Sequence, residues 1–239
     1  NRNTQIDIVP GYSSRMGGFL LTSYTYPLNA YISGSTHLDY RTKRGLAGGQ
    51  DVLWASTNQV DWNGGLYTYY LQDQKPSKDA DEEAERGDLI KKERYRIRLA
   101  DTHNLTERDY LITELNYLSD PWVISDFFDA ENRNNAQPEN RVNLAHRGDK
   151  YSAGLLVNKR LNDFFGNVER TPEAYLDMQR QQIGETPFYY EGNHSAARLE
   201  RVYPEQDDKD SYDAIRIDTA NKIYYPTRHF GFLNLIPDV

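Results

Sequence analysis

The chain has 239 residues, a formal net charge of -8 and no cysteine. Its acidity disfavours a nucleic-acid-binding protein, which needs a basic footprint, and the lack of cysteine excludes disulfides and thiolate metal sites. No apolar run approaches the roughly 20 residues that a transmembrane helix needs. Because the sequence opens at Asn1 without an initiator Met or a signal region, we interpret it as a mature or excised piece.

Tyrosine is the most frequent aromatic residue, with 19 copies against 8 of phenylalanine and 3 of tryptophan. Its ring and hydroxyl suit both a pleated strand surface and a membrane–water boundary. The mean hydropathy of -0.84 favours an ordinary soluble β-protein. A membrane barrel is also compatible with this value, because a polar lumen and polar loops dilute its apolar band. Composition therefore leaves both classes open.

Apolar and polar residues alternate with a period of two at several places, which predicts strands. The pattern occurs at 28–40, 94–99, 111–117, 151–158 and 215–218. No segment carries a helical stripe of useful length, although the acidic stretch 79–86 could form a helical turn. We expect roughly a dozen strands, most of them about 9–12 residues long, which is the length that crosses a bilayer when tilted.

Long and short connections alternate from residue 73 onward. The long ones are 74–91, 119–139, 159–170 and 204–211, and the short ones are 102–107, 147–150, 181–186 and 224–228. Up-and-down barrels have this rhythm, because one rim carries brief turns and the other carries extended loops. The sequence therefore predicts an all-β fold, an antiparallel up-and-down outer-membrane β-barrel. Residues 1–239 would form one incomplete barrel segment.

Catalytic and metal-binding signatures are missing from the sequence. No two of the five histidines stand at the spacing of metal ligands. Neither a G-x-S-x-G nucleophile elbow nor a Walker phosphate-binding loop occurs. Asp120-Pro121-Trp122 and Ser125-Asp126-Phe127-Phe128 carry acids, but we interpret them as a packed loop whose aromatic rings bury apolar area. We expect no catalytic residue, no metal and no cofactor.

Arg94, Arg96 and Arg98 project from one face of the predicted strand at 94–99. Each would destabilise a lipid-facing site by about 2–4 kcal/mol at the midplane, so this face must meet water or a polar lumen. There the arginines can pair with acids such as Glu114 on the next strand, or contact an anionic phosphate-bearing ligand. Structural pairing is the favoured interpretation, and all four residues are candidates for lining a lumen.

Ordered motifs along the chain carry a family resemblance. They are Arg44-Gly45-Leu46, Tyr69-Tyr70-Leu71-Gln72-Asp73, Glu114-Leu115-Asn116-Tyr117-Leu118-Ser119-Asp120 leading into Ser125-Asp126-Phe127, and Glu169-Arg170-Thr171-Pro172-Glu173. Their order and spacing resemble the barrel domain of the lipopolysaccharide-assembly family, LptD, also called the organic-solvent-tolerance family. The resemblance covers roughly residues 8–235, and each motif by itself is of low specificity.

The resemblance implies a barrel of roughly twenty-six strands, with this chain as its first half, a periplasmic domain before residue 1 and further strands after 239. It implies export of lipopolysaccharide to the outer leaflet of the outer membrane. The implied partners are lipopolysaccharide, outer-membrane lipid, an LptE-like plug lipoprotein and the periplasmic Lpt bridge proteins. Family members open laterally at a seam weakened by prolines, and Pro10 could serve there because it lacks a ladder donor.

Two features depart from the family pattern, and two other classes stay open. The chain lacks the cysteines that link the two domains in some members, and it ends before the last strand of the seam. Another outer-membrane barrel, such as a porin or receptor, would take up solutes and need no partner lipoprotein. A soluble β-rich carbohydrate-active enzyme would fold without detergent and contain a buried acid pair.

Overall fold

The computed structural model describes residues 4–56, 62–76, 87–134, 137–229 and 233–235. A 12-stranded antiparallel sheet runs in strict sequence order, from β1 at one edge to β12 at the other. Its strands are β1 (Gln5–Ser13), β2 (Gly17–Pro27), β3 (Ile32–Arg41), β4 (Gly45–Ser56), β5 (Trp62–Gln72), β6 (Glu93–Asn104), β7 (Asp109–Leu118), β8 (Arg141–Arg147), β9 (Tyr151–Asn158), β10 (Asn167–Gln182), β11 (Tyr189–Val202) and β12 (Tyr212–Tyr224). The all-β, up-and-down prediction is confirmed, and the sheet formed by the described strands is open.

Smaller elements complete the chain. Helices α1 (Val123–Phe127) and α2 (Asp129–Asn134) lie in the β7–β8 connection, and a 3-10 turn covers Gly87–Leu89. The strands β13 (Thr227–His229) and β14 (Leu233–Leu235) form a separate pair. Among the described residues, no helix has the length and apolarity that crossing a membrane requires.

The connections alternate as the sequence predicts. We call the end of the sheet where β1 passes into β2 the loop end; it carries the connections after β5, β7, β9 and β11. The opposite end, the turn end, carries the shorter connections 105–108, 148–150 and 183–188. Several predicted boundaries are wrong by a few residues, because β6 continues to Asn104, β10 already begins at Asn167, and the short connection after β10 covers 183–188. The helical turn predicted at 79–86 lies outside the described residues.

The first predicted strand, 28–40, begins later than its alternation suggests. Residues 28–31 form a turn, in which the side-chain oxygen of Asn29 accepts hydrogen bonds from the amides of Tyr31 and Ile32 at 2.8 and 2.9 Å. An asparagine side chain offers the backbone a local partner in place of the strand ladder. The ladder of β3 with β4 accordingly begins at Ile32.

The two faces of the sheet have opposite polarity. On one face, which we call the outer face, the register places Leu20, Tyr40 and Leu46 side by side, with 43, 53 and 59% of each residue exposed. On the opposite face, which we call the inner face, Asp39, Arg94 and Arg96 are buried, with 7, 0 and 4% of each residue exposed. A soluble domain buries apolar side chains and exposes charged ones, so this sheet has the reverse arrangement.

A small apolar core lies at the loop end. Leu118, Val123 and Ile124 are buried there against the half-buried rings of Phe127, Phe128, Phe164 and Phe165. This core fastens the β7–β8 connection over the inner face of the sheet. We call residues 119–134, which include α1 and α2, the cover.

Candidate functional site

Five charged side chains from distant parts of the chain meet beneath the cover at the loop end. Arg44 lies in the β3–β4 turn, Asp73 follows β5, Arg94 is near the start of β6, Asp120 follows β7 and Asp126 lies in α1. Their side chains have relative exposures of 0 or 1%. We call this set the ionic cluster. The up-and-down topology explains it, because alternate strand ends meet at the same edge of the sheet.

Arg94 makes four hydrogen bonds at the centre of the ionic cluster. Its Nε and Nη2 donate to the two carboxylate oxygens of Asp120 at 2.9 and 2.8 Å, which is a bidentate pair. Its Nη1 donates to Asp126 at 2.6 Å and to Asp73 at 3.2 Å. The planar guanidinium can bind three carboxylates at once, because its N–H donors point in fixed and different directions.

Arg44 enters the ionic cluster from a tight turn. Its Nη2 contacts Asp73 at 2.7 Å and Asp126 at 3.0 Å. Gly45, which follows it, has a φ of +101°, and a Cβ there would lie 2.8 Å from the carbonyl oxygen of Gln72. Only glycine fits this backbone conformation without strain, which gives the Arg44-Gly45 motif a physical reason.

Asp126 also receives Arg15 from the β1–β2 turn, at 2.6 Å. With Arg15 included, whose side chain is 31% exposed, three arginines face three aspartates, so the formal charges of this set balance. The ring of Phe127 lies among the guanidiniums, whose carbons are 5.3 Å (Arg41), 4.9 Å (Arg44) and 5.0 Å (Arg94) from its centroid. Cation–π contacts of this kind strengthen when water is excluded.

Burial opposes the ionisation of two members of the ionic cluster, Asp73 and Arg44. It raises the pKa of Asp73, and the nearby charge of Arg44 offsets this only in part. It also lowers the pKa of Arg44, against the attraction of Asp73 and Asp126. The two shifts agree, because desolvation disfavours the charged form of an acid and of a base alike. The arrangement is suited to holding a loop in place and offers no open acid pair.

The predicted ladder of Arg94, Arg96 and Arg98 occupies one face of β6, but its members have different surroundings. Arg94 is fully buried, Arg96 is 4% exposed and the side chain of Arg98 is 30% exposed. Arg96 pairs with Glu131 of the cover, and Arg98 lies 3.9 Å from Glu114. Lumen lining stays a prediction for Arg96, Arg98 and Glu114, whereas Arg94 has no exposed surface in this structure.

Glu114, which was predicted to pair with the arginines of β6, lies near Arg98 of that strand and Arg141 of β8. Register places Glu114 opposite Ala100 on β6 and Arg141 on β8. It is 3.5 Å from Arg141 and contacts the ladder only through Arg98. Arg94 and Arg96 are nearer the loop end, so they pair with acids of the connections that fold back over the sheet.

Pro10, the predicted seam residue, lies within the edge strand β1, opposite Leu20. The carbonyl of Gly18 accepts from the amide of Thr42 at 2.9 Å, so Gly18 directs its backbone groups towards β3. Backbone direction repeats every two residues, and Leu20 does the same. The nitrogen of Pro10 therefore faces the free edge of β1, where it removes a donor without weakening the β1–β2 ladder.

A cavity of about 410 Å³ separates the cover from the inner face of β1–β6. Its polar lining atoms are largely satisfied by one another. The hydroxyl of Tyr69 donates to Asp39 at 2.7 Å and accepts from Arg41 at 2.8 Å. Nε2 of His37 lies 2.8 Å from Oδ2 of Asp51, within hydrogen-bond distance. The cavity is preorganised and aromatic on the cover side, where Phe127 and Phe128 line it.

Two asparagine side chains make hydrogen bonds to backbone groups of β7 at its end, where β8 no longer pairs with it. Pairing of β7 with β8 ends at Glu114. Beyond it, the side-chain oxygen of Asn140 accepts from the amide of Asn116, and the side-chain oxygen of Asn162 accepts from the amide of Leu118 at 2.9 Å. The amide group of Asn162 also donates to the carbonyl of Asn116 at 2.9 Å. Buried backbone groups are thereby satisfied.

The sequence predicts that the Asp120 and Asp126 segments form a loop packed by aromatic rings. The aromatic packing is confirmed, but the buried charge was missed. A signal for it existed, since Arg44, Asp73, Asp120 and Asp126 all stand in the quoted motifs. Glu169, in the last motif, lies elsewhere: it is 2% exposed and accepts a hydrogen bond from the amide of Arg160 at 3.2 Å.

Within the described ranges, no group of three or more histidine, aspartate or glutamate side chains is placed to hold a metal ion. A scan against protein-family models finds no match for the chain. A search of curated proteins finds none either.

Proposed function

We propose that this chain forms part of the wall of an outer-membrane barrel that exports lipopolysaccharide to the outer leaflet. The single observation that carries a membrane wall is the reversed polarity of the sheet. The outer face exposes large apolar side chains, whereas the inner face collects charged and hydroxyl groups. Lipid on one side and a polar lumen on the other satisfy both faces.

Tyrosines at the loop-end rim of the outer face add support. Tyr12, Tyr40, Tyr70 and Tyr117 are 77, 53, 50 and 45% exposed. Tyr70 stands opposite Tyr95 in the register, and the ring of Tyr95 lies 5.6 Å from that of Tyr117. Aromatic girdles of this kind mark the membrane–water interface of barrels.

The connections orient the wall. Outer-membrane barrels have short periplasmic turns and long extracellular loops. By this rule the turn end faces the periplasm, and the loop end, with the cover and the ionic cluster, faces outward. The start of β1 then lies on the periplasmic side, where the family resemblance expects the preceding domain.

Lipopolysaccharide as the cargo is supported by the resemblance of the ordered motifs to the LptD family. The structure adds a common role for several of them, because Arg44, Asp73, Asp120 and Asp126 meet in the ionic cluster. The free-edge position of Pro10 fits a weakened seam at β1. A polar inner face would equally suit a solute channel, so the cargo needs a direct test.

Site-specific photo-crosslinking in the full-length protein tests the cargo. A photo-reactive residue replaces Tyr67, which lies in the inner-face cavity, or Tyr70, which is half exposed on the outer face of the same strand. We expect the Tyr67 position to crosslink lipopolysaccharide only while newly made lipopolysaccharide is supplied. The Tyr70 position should crosslink resident membrane lipid regardless of supply.

Folded protein that gives no supply-dependent crosslink at Tyr67 contradicts export of lipopolysaccharide. If the same protein admits small solutes into vesicles, a porin or receptor explains the wall instead. Folding as a soluble monomer without detergent contradicts both membrane functions and favours the carbohydrate-active enzyme.

A further inference from the structure

Arg15 connects the edge of the sheet to the cover. It lies in the turn between β1 and β2, and its Nη2 contacts Oδ1 of Asp126 at 2.6 Å. The other carboxylate oxygen, Oδ2, accepts from Arg44 and Arg94 in the sheet interior. One carboxylate therefore bridges the edge hairpin and the interior strands.

Apolar packing between the edge strands and the cover is interrupted. The cavity of about 410 Å³ lies between them, with Val9 and Leu21 on the edge side and Phe127 and Phe128 on the cover side. Close packing usually transmits displacement from one element to another, and a void weakens that route. The Arg15–Asp126 ion pair crosses beside this void.

The opposite side of the cover is held more firmly. Val123 and Ile124 pack with Leu118 in the apolar core, and Asp120 binds Arg94 through two hydrogen bonds. The cover is thus anchored on β6 and β7, and the described contact that ties it to the β1–β2 hairpin is the Arg15–Asp126 ion pair. Such an attachment can be released without dismantling the core.

We propose that Asp126 is a latch that couples the edge hairpin β1–β2 to the cover. Displacement of the β1 edge removes the contact of Arg15 with Asp126 and takes one positive charge away from three buried aspartates, which destabilises the closed cover. Release of the cover in turn frees the hairpin. The coupling follows from the contacts alone, whereas its use in cargo exit rests on the proposed function.

Hydrogen exchange of the full-length protein in detergent, followed by mass spectrometry, tests the latch. Arg15→Gln should speed exchange of peptides from the cover, residues 119–134, on the order of tenfold. Asp126→Asn should speed exchange in peptides covering 5–25, because coupling is reciprocal. Arg15→Lys, which keeps the charge, should retain most of the protection.

Arg108→Gln is the matched control. Arg108 is also a turn arginine, paired with Asp149 at 2.8 Å, but it lies at the turn end, and both side chains are exposed (56 and 82%). Its loss should leave the cover unchanged. Unaltered exchange of the cover in Arg15→Gln overturns the latch, and this result decides the matter even where Asp126→Asn does not fold.

The latch and the proposed function can fail separately. Coupled exchange without supply-dependent crosslinking at Tyr67 supports the latch and removes lipopolysaccharide export. Crosslinking at Tyr67 without coupled exchange supports export and removes the latch.

Discussion

Asp126 is a fully buried carboxylate that binds the guanidiniums of Arg15, Arg44 and Arg94. A buried ion pair adds little net stability compared with apolar packing, because desolvation offsets the attraction. Removal of one partner destabilises the fold strongly, because the remaining charged side chains stay buried without a full countercharge. At the scale of single residues, the ionic cluster therefore specifies where the cover sits.

Asp126→Asn should lower the free energy of unfolding by about 3–5 kcal/mol, because it leaves buried guanidiniums without a full countercharge. Urea unfolding of the full-length protein measures the change. The control is Asp129→Asn in the same connection, where Asp129 pairs with Arg133 and both side chains are largely exposed. That change should leave the free energy of unfolding nearly unchanged, because an exposed ion pair contributes little to stability. Equal effects of the two variants contradict the assignment.

The pH dependence of the ionic cluster follows from Asp73. Burial raises the pKa of Asp73 in the folded state, so its contribution to stability is present below its unfolded pKa and is lost as pH rises through the folded pKa. Asn cannot ionise. The stability of wild type relative to Asp73→Asn should therefore fall as pH rises through the acid range from the ordinary carboxyl pKa of about 3.9. Urea unfolding over this range checks the sign, and a rising difference would mean that pairing with Arg44 outweighs burial.

At the scale of elements, the connections of the loop end act as structural parts of the sheet. Asn140 and Asn162 replace the strand that β7 lacks beyond Glu114. Arg160 donates from Nη1 to the carbonyls of Phe165 at 2.9 Å and Tyr203 at 2.6 Å, which ties the β9–β10 connection to the β11–β12 connection. Loops bound in this way are ordered by side chains that reach backbone groups.

Asn162→Ala should lower stability by about 1–3 kcal/mol, because it leaves the buried amide of Leu118 and the carbonyl of Asn116 without partners. The amide of Leu118 should also exchange faster. Asn193→Ala is the control, since exposed Asn193 makes a side-chain hydrogen bond to Asp177 at 2.9 Å on the sheet surface. Urea unfolding and hydrogen exchange measure both variants; an unchanged Leu118 amide would mean that another group satisfies it.

At the scale of the whole molecule, the feature to explain is a sheet that exposes its apolar face. Edge strand β12 continues this pattern, with Ile215 and Ile217 at 80 and 75% exposed. In water such surface promotes association, and the edges β1 and β12 offer unpaired backbone groups to any further strand. In a closed barrel within lipid, the apolar face contacts lipid and every strand edge is paired.

Ile97→Arg tests this environment directly. Ile97 is 43% exposed on the outer face, one position along that face from Tyr95. In lipid vesicles the substitution should destabilise the full-length barrel by about 1–2 kcal/mol, between the values for the interface and the midplane, because Ile97 lies just inside the tyrosine girdle. Leu105→Arg, in a turn and 47% exposed, should have little effect. Urea unfolding in vesicles compares them, and equal stability of the two variants argues against a lipid-facing surface.

Alternation in the sequence predicts several of the strands and the face on which their side chains lie. Alternation is a local property with a period of two, so the 94–99 and 151–158 patterns place β6 and β9 without knowledge of the rest of the chain. The rhythm of the connections determined the up-and-down order for a similar reason, since short links join neighbours. The start of β3 was misplaced because Asn29 forms a local turn that alternation does not reveal.

The pairing of the buried charges depends on the tertiary structure. Arg44 and Asp126 are 82 residues apart in the chain, and the sequence holds 36 acidic residues as candidate partners. Strand adjacency pointed to Glu114, but the register and the return of the cover brought Asp73, Asp120 and Asp126 to the arginines instead. Pairing between loops depends on where several connections fold back over the same sheet end, and that position is set by the packing of the whole fold.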